Sequence, residues 1–556
     1  VHHARNNTMV KASAMDPTNT SMPPLRRCGL TAVCVIAIAA ALAPAAAWAS
    51  DCQSLSGKTF ASALIVETND IKPPFVATSM APPGVAVTVP FCRVRGLIRP
   101  TPDSHIYFEV WLPPADTWNG NYQGNAPGGY VGSMFYEPTE RALRAGYAAS
   151  TTDNGHVGSE PSEWAAGHPE RLADWGWRAV HETAVAAKAV ISAYYGKHPK
   201  FSYFIGCSKG GASAIMEAQR FPTDYDGVVA GAMGWNLSAR LAMYLWTIQA
   251  VQVPGAWISP AKLALLHKSV LAACGGRDGI LDDPGTCQFD PGRLQCKVDE
   301  ADSCLTAQQV ATVRKIYAGP SDAAGRSIYP GYARGSELNW SRGIMGSEDK
   351  PGEGTTSYLG FANRARDLLF EHSNWNLQTL DPSDIYQLAR KKLGASWDAV
   401  ETDLSAFRAA GGKIIGYQGW TDDAVPPGGT IHYYDMVADK MGGARQVQSF
   451  YRLFMVPGMD HCSGGIGPNA IGGAYDWPAP VRDAQHDVAA ALARWVEQGE
   501  PPDKLVATHY QDNDPTQAIE AQRPVCVYPA AARYTGRGNR NHAASWVCTI
   551  PTGKKR

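Results

Sequence analysis

The sequence predicts an α/β fold interrupted by a large inserted lid, on three observations. Alternating strand and helix patterns occur at residues 106–232 and again at 403–498, and a middle stretch of different character separates them. A short apolar strand pattern at 201–206 runs through the glycine-flanked turn Gly206-Cys207-Ser208-Lys209-Gly210-Gly211 into a helix pattern over Lys209–Arg220, ended by Pro222. Finally, one cysteine directly precedes Ser208 and another directly follows His461.

Taken in chain order, Arg26-Arg27 precede an apolar run from Cys28 to about Ala43, then Ala47-Trp48-Ala49 and Ser50, the layout of a secretory signal peptide. Cleavage is expected after Ala49, and export to the periplasm or outside the cell follows. The apolar run is shorter than the ~20 residues that span a bilayer. Met9, Met15 and Met22 all offer an initiator, so residues before Met22 read as a leader without assigned structure.

Ile106–Leu112 reads as a strand, 125–133 as a glycine-rich turn, and 147–152 as a strand of small residues. In residues 175–195, Val180, Ala184, Ala187, Val190 and Ile191 recur at helical spacing. Residues 226–232 show a buried-strand pattern, after which the regularity stops. The stretch from about Trp235 to Ser405 holds four cysteines, many Trp and Tyr, and glycine- and proline-rich runs, and reads as the lid. Regular patterning resumes with a helix near 403–410, strands at 413–417 and Tyr451–Val456, and a helix at 483–498. The resulting division is leader and signal 1–49, first part of the core 50–235, lid 236–405, second part of the core 406–556.

With 556 residues, a net charge of −1 and 18% charged residues, the chain lacks the long basic blocks that mark polyanion binding. No nucleic-acid partner is expected. Twelve cysteines, less Cys28 and Cys34 in the signal, leave ten, which in an oxidising compartment reads as five disulfides. Zinc is not expected, because Cys274, Cys287, Cys296 and Cys304 show no C-x-x-C pairs with histidines at finger spacing.

The strand, tight turn and helix around Ser208 make G-x-S-x-G a nucleophile elbow, the centre of an α/β-hydrolase core. A serine hydroxyl attacks well only when an imidazole accepts its proton and a carboxylate orients that imidazole. Chain order in this architecture is Ser, acid, His. Asp422 follows a strand and lies between Ser208 and His461, so it is the expected acid, with Asp423 as its rival. If Cys207 and Cys462 are bonded, Ser208 and His461 are neighbours by covalent necessity, since a disulfide holds its Cα atoms roughly 4.4 to 6.8 Å apart. The oxyanion donors are expected to be the main-chain N–H of Lys209 and one from Gly128-Gly129-Tyr130, with Gly129 the candidate. The bland alternatives are a small turn residue at Ser208, an Asp-led turn at 422, a loop histidine at 461 and a strand connection at Gly129. His181 reads as a packed helix residue rather than a second base.

Together these residues resemble the secreted tannase and feruloyl esterase family, which includes bacterial mono(2-hydroxyethyl) terephthalate hydrolases. The likeness rests on Trp177-Arg178-Ala179-Val180-His181-Glu182-Thr183, the Gly206 to Gly211 elbow, Arg220-Phe221-Pro222-Thr223-Asp224-Tyr225-Asp226-Gly227, Asn374-Trp375-Asn376-Leu377, Gly419-Trp420-Thr421-Asp422, and the run from Val456 to Cys462. The resemblance implies a Ser208, Asp422, His461 triad bridged by Cys207–Cys462. It further implies the pairs Cys52–Cys92, Cys274–Cys287, Cys296–Cys304 and Cys526–Cys548. It also implies a lid calcium, but of that ligand set this sequence keeps only Asp278 and the Ile280 carbonyl, with Arg277 beside them. Calcium takes six to eight oxygens; its binding stays open here, the alternative being a loop ordered by Cys274–Cys287 alone. No cofactor is required for the chemistry.

The expected activity is hydrolysis of esters of aromatic carboxylic acids through an acyl-enzyme, feruloyl and galloyl esters first and terephthalate monoesters as the alternative. Trp340, Tyr358, Phe361 and Trp375 suit a flat aryl group, and Arg364 or Arg366 would serve an acid-bearing one. The opposing class is a non-catalytic secreted binding protein on the same scaffold.

Overall fold

Six strands whose residues are almost all buried form the centre of the molecule: Ala148–Thr152, Tyr122–Asn125, Ser202–Cys207, Gly227–Gly231, Lys413–Gly419 and Tyr451–Val456, parallel and adjacent in that order. Burial on both faces explains why they read as apolar or small-residue runs without alternation. The computed structural model describes residues 51–551 apart from 79–83, 159–163, 299, 359–361, 371–375 and 474–478. The expected signal peptide lies outside the described residues, as do Phe361, Asn374 and Trp375.

Beyond Ala148–Thr152 the sheet continues antiparallel through Ile106–Leu112, Phe91–Ile98, Ala63–Ile71 and Thr59–Phe60, giving ten strands. Cys52–Cys92 ties the segment just before Thr59–Phe60 to this antiparallel half. At the other end, two hairpins follow the last core helix, Val488–Gln498. They pair Lys504–Tyr510 with Ile519–Cys526 and Ala531–Tyr534 with Trp546–Thr549, and Cys526–Cys548 links the two.

Helix expectations hold with shifted ends. Ala179–Tyr195 is α-helical, preceded by a wider π turn over Asp174–Arg178, and Lys209–Arg220 forms as expected. The C-terminal helix begins at Val488 rather than 483, because the Asp487 side chain accepts from the N–H groups of Ala489 and Ala490 and sets its start.

The middle of the chain departs from the expectation of lost regularity. Residues 232–412 connect two neighbouring parallel strands and carry the helices Leu237–Val251, Pro260–Cys274, Ala307–Ala318 and Pro382–Trp397. The first was illegible because it is buried almost all round, and a helix without a polar face shows no helical period. The local signals were there: Asn236, Ser259, Thr306 and Asp381 each cap a helix through the side chain, and Thr306 with Gln309 completes a capping box. Leu241, Leu245, Ile248, Leu266, Val313 and Ile316 from these helices share an apolar core that also takes in Tyr130 and Trp175. Trp340 is fully buried there with its indole N–H on the Ser336 hydroxyl, so it is a core residue; Tyr358 packs against the same core. Cys274–Cys287 and Cys296–Cys304 close two short loops in this segment.

Where strand meets helix at Ser208 the backbones nearly touch. A Cβ at Gly206 would overlap the Gly210 carbonyl, and one at Gly211 would overlap the Gly231 carbonyl oxygen. Both obstacles are backbone and cannot rotate away. Gly211→Ala is therefore expected to lower the melting temperature sharply and to abolish activity, as thermal melting and an esterase assay would show; a stable, active variant would mean the elbow can open. Cys207–Cys462 spans a separation of 255 residues, a closure that contributes roughly 5 kcal/mol in the chain-entropy model. Replacing both cysteines with alanine should lower thermal tolerance and turnover together, and unchanged kinetics in that double variant would show the bridge to be incidental.

Candidate active site

Ser208 sits at the tip of the elbow with φ 61° and ψ −120°, in a region that side chains other than glycine rarely occupy. The strain is held from both sides: the Ser208 N–H donates to the Gly231 carbonyl at 2.9 Å, and the Ser208 carbonyl accepts from Ala212 at 2.9 Å and Gly234 at 3.3 Å. Among its immediate neighbours Cys207, Lys209 and Gly210 are buried, whereas Ser208 itself stays partly accessible. The backbone thus presents one hydroxyl to the outside of an otherwise closed turn.

Cys207–Cys462 brings the second half of the site to the first, with Cα atoms 6.0 Å apart. His461 lies beyond the strand Tyr451–Val456, and its Nδ1 is 2.9 Å from Asp422 Oδ2 and 3.1 Å from Oδ1. Asp422 is fully buried, and its oxygens also accept from the Gln418 amide at 2.8 Å and from the N–H groups of Ala424 and Val425 at 2.8 and 2.7 Å. Four donors converge on one carboxylate, which fixes its orientation. The Ser208 hydroxyl makes no hydrogen bond with His461 among the described residues; such contacts commonly tighten only with substrate in place.

The adjacent carboxylates are separated by their partners. Asp423 turns away from the imidazole to Arg342, whose Nε and Nη2 lie 3.1 Å from its Oδ2, and its carbonyl accepts from the Tyr332 hydroxyl. Asp460, next to His461, accepts from Asn339 at 2.6 Å and Thr421 at 2.8 Å, and burial raises its carboxyl above the usual range. Asn339 and Arg342 both belong to the inserted segment, so that segment grips the loops carrying the acid and the imidazole. The sequence offered no signal for either residue, because the contacts span the insert.

Gly129 lies on the exposed tip of its turn with φ 58° and no atom near the place of a Cβ, consistent with a backbone surface open to a ligand. Its carbonyl accepts from the Trp175 indole at 3.2 Å. The Lys209 side chain is buried, donates to the Gly176 carbonyl at 3.1 Å and to Ser213 Oγ at 2.7 Å, and loses basicity through burial, to about 7. Gly210 brings this helix start close to Ala126, next to the Gly129 turn. Arg364 is buried with its guanidinium 3.7 Å from the Tyr130 ring centre, whereas Arg366 pairs with Asp367.

His181 is a packed helix residue, as expected: its ring stacks on Phe221 and its Nδ1 is 2.6 Å from Asp224 Oδ2.

At the loop where calcium was left open, Arg523 Nη1 donates to Asp282 Oδ1 at 2.9 Å and Nη2 to Asp278 Oδ2 at 3.1 Å. Arg540 Nε adds a third contact to Asp278 at 3.0 Å, and Ile280 packs its side chain against Gly458 near the His461 loop. Two guanidinium groups already neutralise these carboxylates, so the donor set does not fit calcium.

The match to known proteins agrees with this geometry. The family model for tannase and feruloyl esterase matches residues 92–549. An uncharacterized esterase of Xanthomonas campestris is 38% identical over 92% of this chain and 93% of its own length. A probable feruloyl esterase B-2 of Aspergillus terreus is 30% identical over 84% of this chain and 87% of its own. Among solved structures, feruloyl esterase B from Aspergillus oryzae superposes with a TM-score of 0.79 at 27% identity, covering 88% of this chain and 98% of that one. The chain belongs to the tannase and feruloyl esterase family, whose members are carboxylic ester hydrolases on an α/β-hydrolase-type fold.

Proposed function

We propose that the protein hydrolyses esters of aromatic carboxylic acids through an acyl-enzyme formed on Ser208, in the manner its relatives' names as feruloyl esterases suggest. The observation that carries this is the pairing of a strained, accessible Ser208 with an Asp422-held His461 across Cys207–Cys462.

In the mechanism, His461 accepts the Ser208 proton as the hydroxyl attacks the ester carbonyl. Asp422 holds Nδ1 protonated, so that Nε2 is the basic nitrogen and the imidazolium is stabilised once formed. The main-chain N–H groups of Lys209 and Gly129 hold the oxyanion, each contributing roughly 3 to 4 kcal/mol in the transition state. Proton return from His461 to the leaving alcohol breaks the ester bond. Water, deprotonated by the same imidazole, then attacks the acyl carbon, and His461 returns that proton to the Ser208 oxygen as the acyl bond breaks and the acid leaves.

Ten cysteines joined in five pairs support an oxidising destination, and no helix among the described residues is long and apolar enough to cross a membrane. Export with cleavage after Ala49 is part of the same proposal.

Fluorophosphonate should label the protein, Ser208→Ala should abolish labelling, and a panel of methyl ferulate, methyl gallate and a terephthalate monoester should show fastest turnover on the first two. Labelling that survives Ser208→Ala would remove the proposed nucleophile; preference for the terephthalate monoester would reassign the substrate. Because Arg523 and Arg540 occupy the carboxylates of the loop, a chelator should leave activity and melting temperature unchanged, and a loss restored by added calcium would refute that assignment.

A further inference from the structure

Gly129 has no side chain of its own, so its peptide must be held in place by its neighbours. Trp175 does this from two directions. Its indole N–H donates to the Gly129 carbonyl at 3.2 Å, and its ring stacks on Tyr130 with centres 4.3 Å apart and planes at 15°. The Gly129 carbonyl and the Tyr130 N–H share one planar peptide, so that bond sets the plane. The preceding peptide, which carries the Gly129 N–H, is fixed by the Val131 N–H on the Gly128 carbonyl at 3.3 Å.

The same indole also meets the nucleophile's side of the site. The Lys209 ammonium lies 4.7 Å from the Trp175 ring centre and donates to the carbonyl of Gly176, the residue next to the tryptophan. Lys209 is also the residue whose main-chain N–H follows Ser208. The Trp175 side chain therefore touches the Gly129 carbonyl directly and the Lys209 residue through its side chain.

Trp175 itself is fixed. It is 1% exposed, lies in the π turn Asp174–Arg178, and meets Trp397 edge-on at 6.2 Å. A Cβ at Gly176 would overlap the Ser396 carbonyl, so the turn is seated directly on the helix Pro382–Trp397 of the insert. Asp174 and Arg178 pair at 2.9 Å across the turn. Such single-turn π bulges recur at functional sites.

We propose that Trp175 is a positioning residue that keeps the two halves of the oxyanion hole in register, with the Lys209 amine as its tether. The proposal rests on the Ser208 reading given above. Among the described residues Trp175 makes no hydrogen bond or ring contact with Ser208 or His461, and it acts through the Gly129 peptide.

Trp175→Phe keeps an aromatic ring and removes the N–H. On the ester that the enzyme turns over best, kcat should fall by about 10-fold with KM within about twofold, less than the 10²–10³ lost with a whole oxyanion donor. Affinity for an arylboronic acid, whose serine adduct is tetrahedral, should fall in parallel with kcat, while affinity for the product carboxylate stays unchanged. Unchanged kcat and boronate affinity would overturn the proposal, as would equal losses for boronate and carboxylate, the signature of a merely structural role. If Trp175→Phe fails to fold, Lys209→Met carries the test: a loss confined to kcat and boronate affinity supports the tether, and unaltered values overturn it. Fluorophosphonate labelling that persists in Ser208→Ala would sink the underlying mechanism instead, whatever the Trp175 variants do.

Discussion

The site depends on one covalent constraint, the bond between Cys207 and Cys462. The strands that end at Cys207 and at Val456 are not neighbours in the sheet: Gly227–Gly231 and Lys413–Gly419 lie between them. Strands stand about 4.8 Å apart, so sheet geometry alone would leave Ser208 and His461 too distant to exchange a proton. The loop carrying His461 must fold back over two strand ends. The disulfide fixes that return and does so directly beside Ser208 and His461.

Around that bond the remaining constraints are polar and buried. Asp422 collects donors from Gln418, Ala424, Val425 and His461, and Asp423 and Asp460 are taken up by Arg342, Asn339 and Thr421. Three carboxylates in such proximity would repel one another strongly if left without partners. Distributing them among distinct donors lets one serve the imidazole while the other two anchor the inserted helices.

The core strands were legible because a parallel sheet demands apolar runs, and the elbow because glycines are spaced by backbone contact around Ser208. Asp422 could be chosen over Asp423 only provisionally from sequence; Asp423 is taken up by Arg342, which arrives from a distant part of the chain, while Asp422 meets His461. Leu237–Val251 escaped recognition for the opposite reason, since full burial erases the period that reveals a surface helix. Trp175 read as an ordinary member of an amphipathic helix. Its position one residue into a π turn, facing a glycine loop, is a property of three dimensions that no spacing rule contains.

The insert enters after Gly231 and leaves before Lys413, yet these two ends belong to hydrogen-bonded neighbours in the sheet. During synthesis the edge of Gly227–Gly231 therefore emerges long before the strand that covers it. An uncovered edge of that kind is a template for pairing with the wrong chain. The intervening helices can pack on one another before their flanking strands meet, so the segment that anchors Asp423 and Asp460 can also shelter that seam in the nascent molecule.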